Sequence, residues 1–280
     1  MATTTTVQPT AGIGLNLPRS AGRVTFAGAL RSEFTKIRSV RSTYWTLIAM
    51  FVVVVGFGAL ASWGRATHGG AAGPFWDPTR QSLAGLYIGQ LIIGVLGVLV
   101  ISSEYGTGMI RTTLMTNPHR GVMIAAKGVV FTVVALVASL VTAFTSFFLG
   151  QALMSSHHIS TTIGSPDVLR AVIGGALFLT ACGVIGFGLG LLLRHTAAGI
   201  GAMVGLLFVV TILVNFLPTS WQNDIDKWIP ALAGAQVWMV AQQPPGSTPM
   251  FAAWPSFAVL CGWAALAVVS AVILFRRRDA

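Results

Sequence analysis

Charge is scarce in this chain: 9% of its 280 residues are Asp, Glu, Lys or Arg, against about 25% in an ordinary soluble domain. So few charges cannot cover a globular surface in water. Acids are scarcest, 7 against 17 lysines and arginines, and lysine occurs only as Lys36, Lys127 and Lys227. A phosphate-binding loop needs G-x-x-x-x-G-K-[ST], in which backbone amides and the lysine cradle phosphates. The nearest stretch, Gly121-Val122-Met123-Ile124-Ala125-Ala126-Lys127-Gly128, fails at Ala126 and Gly128. No nucleotide site is therefore read in this chain. The two cysteines, Cys182 and Cys261, fall inside apolar runs and point to neither a disulfide framework nor a metal site. A His-Glu pair at metal-ligand helical spacing and a G-x-S-x-G elbow are both missing, so hydrolase readings have no support. His157 and His158 are adjacent in a loop with only Asp167 nearby; neighbouring histidines do not readily converge on one ion, and a solvated loop outweighs a zinc site.

What the chain has in abundance is apolar sequence. It is 54% hydrophobic with a mean hydropathy of +0.79. Six runs, near Tyr44–Trp63, Leu83–Ser102, Gly128–Gly150, Ala171–Leu193, Ala197–Leu217 and Phe257–Phe275, each approach the roughly 20 residues that a hydrocarbon core of about 30 Å requires. The expected fold is an all-α integral membrane protein with six transmembrane helices. Arg194-His195-Thr196 alone part the fourth and fifth runs, which forces a tight helical hairpin. The runs contain almost no ionisable side chain, and Asn215 is among their few strongly polar residues. Proton-coupled pumps and voltage sensors need charge within the membrane, so energy for any transport must come from elsewhere.

Position decides what the excess of +10 means. With the N-terminus inside, thirteen of the 17 basic residues lie on inner segments and four on outer ones. That bias sets both termini in the cytoplasm and turns the basic residues toward anionic headgroups rather than nucleic acid. The outer segments hold Trp63, Trp76, Trp221, Trp228 and Trp254, the aromatic anchors of a membrane interface. In the longest outer loop, Pro218 to Ser256, Trp221, Ile225 and Trp228 share one helical face, which predicts a short interfacial helix.

Three divisions follow. Residues 1–22, rich in Thr, Gly and Pro, read as a disordered tail rather than a signal peptide, because the first apolar run begins only near Tyr44. Residues 23–43 read as a basic amphipathic helix on the cytoplasmic membrane surface, with Phe26, Leu30, Phe34 and Ile37 at helical spacing and Arg31, Thr35, Lys36, Arg38 and Ser39 around them. Glu33 interrupts the apolar face of that helix, either to meet a partner or to pair with Lys36. Residues 44–280 form the six-span domain. Within it Gly85/Gly89, Gly186/Gly190 and Gly201/Gly205 make small-xxx-small pairs, which serve packing within the chain or a face for a second copy.

One charged stretch stands out: Ser103-Glu104-Tyr105-Gly106-Thr107-Gly108-Met109-Ile110-Arg111-Thr112-Thr113-Leu114, between the second and third runs and ahead of the breaker Asn117-Pro118. Helical patterning resumes there with both signs of charge. It is either an ordinary inner loop or a short helix that projects into the cytoplasm toward a partner.

From about Leu30 to Ala280 the chain resembles permeases of the ABC-2 class of ATP-binding-cassette transporters. The likeness rests on Leu30-Arg31-Ser32-Glu33-Phe34-Thr35-Lys36 and Arg41-Ser42-Thr43-Tyr44-Trp45 before the first span. It rests further on Glu104-Tyr105-x-x-Gly108-Met109-Ile110-Arg111 after the second, Arg194-His195-Thr196 after the fourth, and the ending Arg276-Arg277-Arg278-Asp279. The resemblance implies an N-terminal connecting helix around Glu33 and a cytoplasmic coupling helix over Glu104 to Asn117. Glu104, Tyr105, Gly108, Ile110 and Arg111, with Glu33, would then meet a separate cytoplasmic ABC ATPase, which would hold the ATP and Mg; this chain would carry no cofactor and no enzyme activity. It also implies a pair of permeases, identical or related, in a bacterial plasma membrane, with substrate moved outward. The apolar, small-residue spans favour a hydrophobic or amphipathic compound, since an ion or sugar needs polar groups to replace its water. The alternative is a non-transporting membrane anchor, an immunity or sensing component that recruits the ATPase.

Overall fold

A computed structural model describes residues 25–69, 73, 76–106, 120–240 and 248–278. The tail at 1–22 lies outside them, as does most of the stretch expected to form the coupling helix. All regular structure among the described residues is helical. Six helices are long and apolar enough to cross a membrane.

Helix α1 (Phe26–Ser39) starts at Thr25, whose side-chain oxygen accepts the Gly28 amide at 3.2 Å. It ends at Val40, where the backbone becomes extended, and α2 (Arg41–His68) begins at once as the first span. The described part of the segment 23–43 thus holds α1 and the first residues of α2, divided at Val40. Ala29, Glu33 and Ile37 face the protein, while Phe26 and Phe34 are 46% and 52% exposed.

The second span is preceded by a short helix, α3 (Pro78–Ser82), and a turn at 83–85 before α4 (Leu86–Gly106). Breaking a helix near a membrane frees backbone carbonyls that need partners. Ser146 donates to the Ser82 carbonyl at 2.7 Å and the Gln151 amide to the Pro78 carbonyl at 3.0 Å. Both come from α5 (Arg120–Ser155), whose 36 residues make it the longest helix described.

Helix α6 (Val168–Leu193) is the centre of the bundle, packed on α4, α5 and α10 (Ala253–Arg278) and buried over most of its length. Its seam with α4 is backbone against backbone: a Cβ on Gly186 would run into the Gly94 carbonyl, and one on Gly97 into the Gly183 carbonyl. Arg194, in the left-handed region at φ 54°, closes α6, and His195 caps α7 (Thr196–Val214) by accepting the Ala198 amide. The three-residue hairpin expected between the fourth and fifth spans is this turn. A π-turn over Gly205–Val209 interrupts α7. The end of the bundle away from the α6–α7 turn carries α8 (Thr219–Ile225), a 3₁₀ turn Asp226–Trp228, α9 (Pro230–Ala235) and a second 3₁₀ turn Gln236–Trp238.

Candidate functional site

The two ends of the bundle differ in kind. At one end meet α1, the start of α2, the end of α4, the start of α5, the α6–α7 turn and the end of α10. There the Thr196 hydroxyl donates to Ser102 at 3.0 Å, and the Arg194 guanidinium lies 5.5 Å from the centre of the Phe275 ring. This is the end at which α1 lies and from which the charged segment after α4 departs.

Its most unusual group is Glu33, 1% exposed. Glu33 Oε2 lies 2.7 Å from Lys127 Nζ on α5, and Oε1 accepts from Lys36 Nζ at 2.6 Å. Lys127 is itself only 6% exposed. Burial raises the carboxyl pKa of Glu33, but the ammonium groups of Lys127 and Lys36 outweigh it and hold the group below the ordinary carboxylate value. The Lys36 pairing that the sequence offered is present, with a second lysine that the sequence did not pair. Glu33 is therefore turned into the chain, against α5, and is not presented on its surface.

The remaining residues expected to meet a partner are at or beyond the end of α4. Glu104 and Tyr105 belong to the last turn of that helix; Gly108, Ile110 and Arg111 lie outside the described residues. The chain re-enters as α5 at Arg120, seven residues before Lys127, about 10 Å along a helix. In sequence, the charged segment thus runs between the last turn of α4 and the turns of α5 that carry Lys127.

The opposite end is closed by a polar clasp. Asp77 Oδ1 accepts the Thr79 and Arg80 amides at 2.8 and 3.1 Å, and Oδ2 accepts the Val240 amide at 2.9 Å. Arg170, at the start of α6, pairs with Asp167 at 2.9 Å and donates to the Val237 and Met239 carbonyls at 2.9 and 3.0 Å. Between these two anchors Trp238 is fully buried, edge-on to Tyr87 with ring centres 5.0 Å apart. Sequence reading missed both anchors; the available signal was an acid immediately before Pro78 and a basic residue at the foot of an apolar run. The tryptophans expected as interfacial anchors stay outward: Trp63, Trp221 and Trp228 are all exposed, and the Trp228 carbonyl accepts the Trp263 indole N–H at 2.9 Å. Trp221 and Trp228 sit on α8 and the turn after it, where the interfacial helix was expected. His157, in the turn after α5, bonds to the Ser156 hydroxyl at 2.9 Å.

Residues 29–213, from α1 through α7, match the family model described as ABC-2 family transporter protein. The chain belongs to the ABC-2 family. The resemblance found in the sequence is thereby shown, and with six apolar helices it makes this a multi-pass membrane protein of a transporter family whose membership implies association with an ABC ATPase. No curated protein matches the chain. The family match covers the Glu33–Lys127 pair and the charged segment, and stops before Val237–Val240 of the clasp at the other end.

Proposed function

We propose that this ABC-2 permease exports a hydrophobic or amphipathic compound, driven by ATP hydrolysed in a separate cytoplasmic subunit. The observation that carries the reading is the family match over α1–α7, joined to a bundle whose spans present apolar and small side chains. Glu104, Tyr105, Gly108, Ile110 and Arg111 are the proposed contacts with the ATPase, which holds ATP and Mg. The end bearing them faces the cytoplasm together with both termini, in a bacterial plasma membrane, as the bias of basic residues supports. Arg31, Arg38 and Arg41, all exposed beside Phe26, Phe34 and Trp45, rest on anionic lipid at that surface.

Two copies, or this chain and a related permease, build the pathway between them. Gly85, Gly89, Gly186 and Gly190 are spent on packing inside the chain, whereas a Cβ on Gly201 or Gly205 would meet nothing within 4 Å. That open stretch of α7, with the outward apolar side of α2, is the proposed face for the second unit.

The test is affinity purification in detergent, followed by identification of what accompanies the chain. A P-loop ATPase should copurify and be lost or uncoupled on Glu104→Lys. Deleting the gene should increase cellular retention of a greasy compound; loss of uptake of a polar nutrient instead would overturn both direction and substrate class.

A further inference from the structure

We propose that Glu33 and Lys127 form a latch that makes α1 move with α5, so that Lys127 is a positioning residue of coupling and Glu33 acts through it rather than by touching the ATPase. Three observations converge. The pair is buried, joins two helices far apart in sequence, and has no solvent route by which Glu33 could reach a partner while it stands. Lys36 takes the other carboxylate oxygen, so one acid serves two ammonium groups and its orientation is fixed from both sides. Lys127 lies about two turns into α5, downstream of the segment proposed to contact the ATPase.

The physical consequence is mechanical. A displacement at 107–119 enters α5 at Arg120. α5 cannot shift against α1 without parting Lys127 from a buried carboxylate, and breaking a buried ion pair is strongly disfavoured. α1 therefore follows. Because α1 joins α2 through the single extended residue Val40, its motion reaches the inner end of the first span, one of the two helices on the proposed pairing face. The relay rests on the function proposed above; the latch does not.

The experiment separates them. Nitroxide labels at Thr35→Cys on α1 and Ala125→Cys on α5, both exposed, are placed in a Cys182→Ala, Cys261→Ala background and read by pulsed electron resonance in the purified permease. The unmodified pair should give one narrow distance. Lys127→Glu and Glu33→Lys should each broaden it, and the exchange Glu33→Lys with Lys127→Glu, which keeps an ion pair between the two helices and the same net charge, should restore it. A narrow distance in both single variants overturns the latch. In the copurified complex, each single variant should keep its ATPase bound but hydrolyse ATP about tenfold more slowly, within the range one coupling contact carries, with recovery in the exchange variant. Wild-type hydrolysis in the single variants, despite a broadened distance, overturns the relay. If no ATPase accompanies even the unaltered chain, the proposed function falls and the relay with it, while the distances still decide the latch.

Discussion

Glu33 sits where burial would drive a lone carboxyl toward protonation, yet Lys127 and Lys36 keep its pKa below the ordinary 4.5. The sign of the linkage follows: a depressed acid stabilises the folded arrangement above its unfolded value, and that stabilisation is lost as pH falls through the folded one. The α1–α5 distance measured from Thr35 to Ala125 should therefore be unchanged above the ordinary carboxylate value of 4.5 and broaden only as pH falls below it. Broadening near neutrality would mean that the pair does not carry the contact. Arg170 offers a second residue-scale check. Arg170→Ala leaves two carbonyls without donors, and an unmet buried polar group costs about 1–3 kcal/mol. A lower unfolding temperature and more solvent-exposed Trp238 fluorescence should result. Arg170→Lys should recover little, since one ammonium does not reproduce the fork that spans Val237 and Met239. Neither arrangement could be read from the letters. Lys127 was visible only as the basic residue of a failed phosphate loop, and its partner lies on a helix that only folding brings near.

Elements were read more successfully than residues, for reasons of length. Spans of about 20 apolar residues are set by bilayer thickness, and all six runs are helices here. Their ends moved because turns outside hydrocarbon carry polar residues that hydropathy discounts: α2 starts at Arg41, and α5 runs from Arg120 to Ser155, about 54 Å against a core of about 30 Å. The sequence placed α1 on a membrane surface but did not tell which of its residues meet the protein. Next to α5 the inner neighbour is a lysine, so the acid turns in and Phe26 and Phe34 turn out. The glycine pairs were ambiguous in sequence and divide cleanly in space. Gly186→Ala should destabilise the chain by roughly 1–3 kcal/mol through overpacking against α4. Gly201→Leu should leave the unfolding midpoint of a single copy unaltered but weaken association of two, read by mass measurement in detergent. An equal loss of stability in both variants would remove the distinction drawn between them.

For the whole molecule the sharpest expectation is topological. With the connecting end inside, single cysteines at Thr67 and Ser247 should react with an impermeant thiol reagent in intact cells, and one at Thr112 should not. Reaction at Thr112 alone would invert the molecule and move the proposed ATPase contacts to the wrong face. The clasp at the other end adds a consequence in time rather than space. Asp77 precedes the second span, and the Val240 amide that it accepts comes 163 residues later, so this bond waits for almost the entire chain to be synthesised. Closing so long a loop is slow and entropically opposed until its neighbours are in place. During synthesis α3 and the head of α6 must stand without their partners, and the slot filled by Trp238 must stand empty. The clasp thus records completion: a chain halted before Pro230 would insert its first five spans yet lack the seal, and should be cleared by membrane proteases faster than the finished protein.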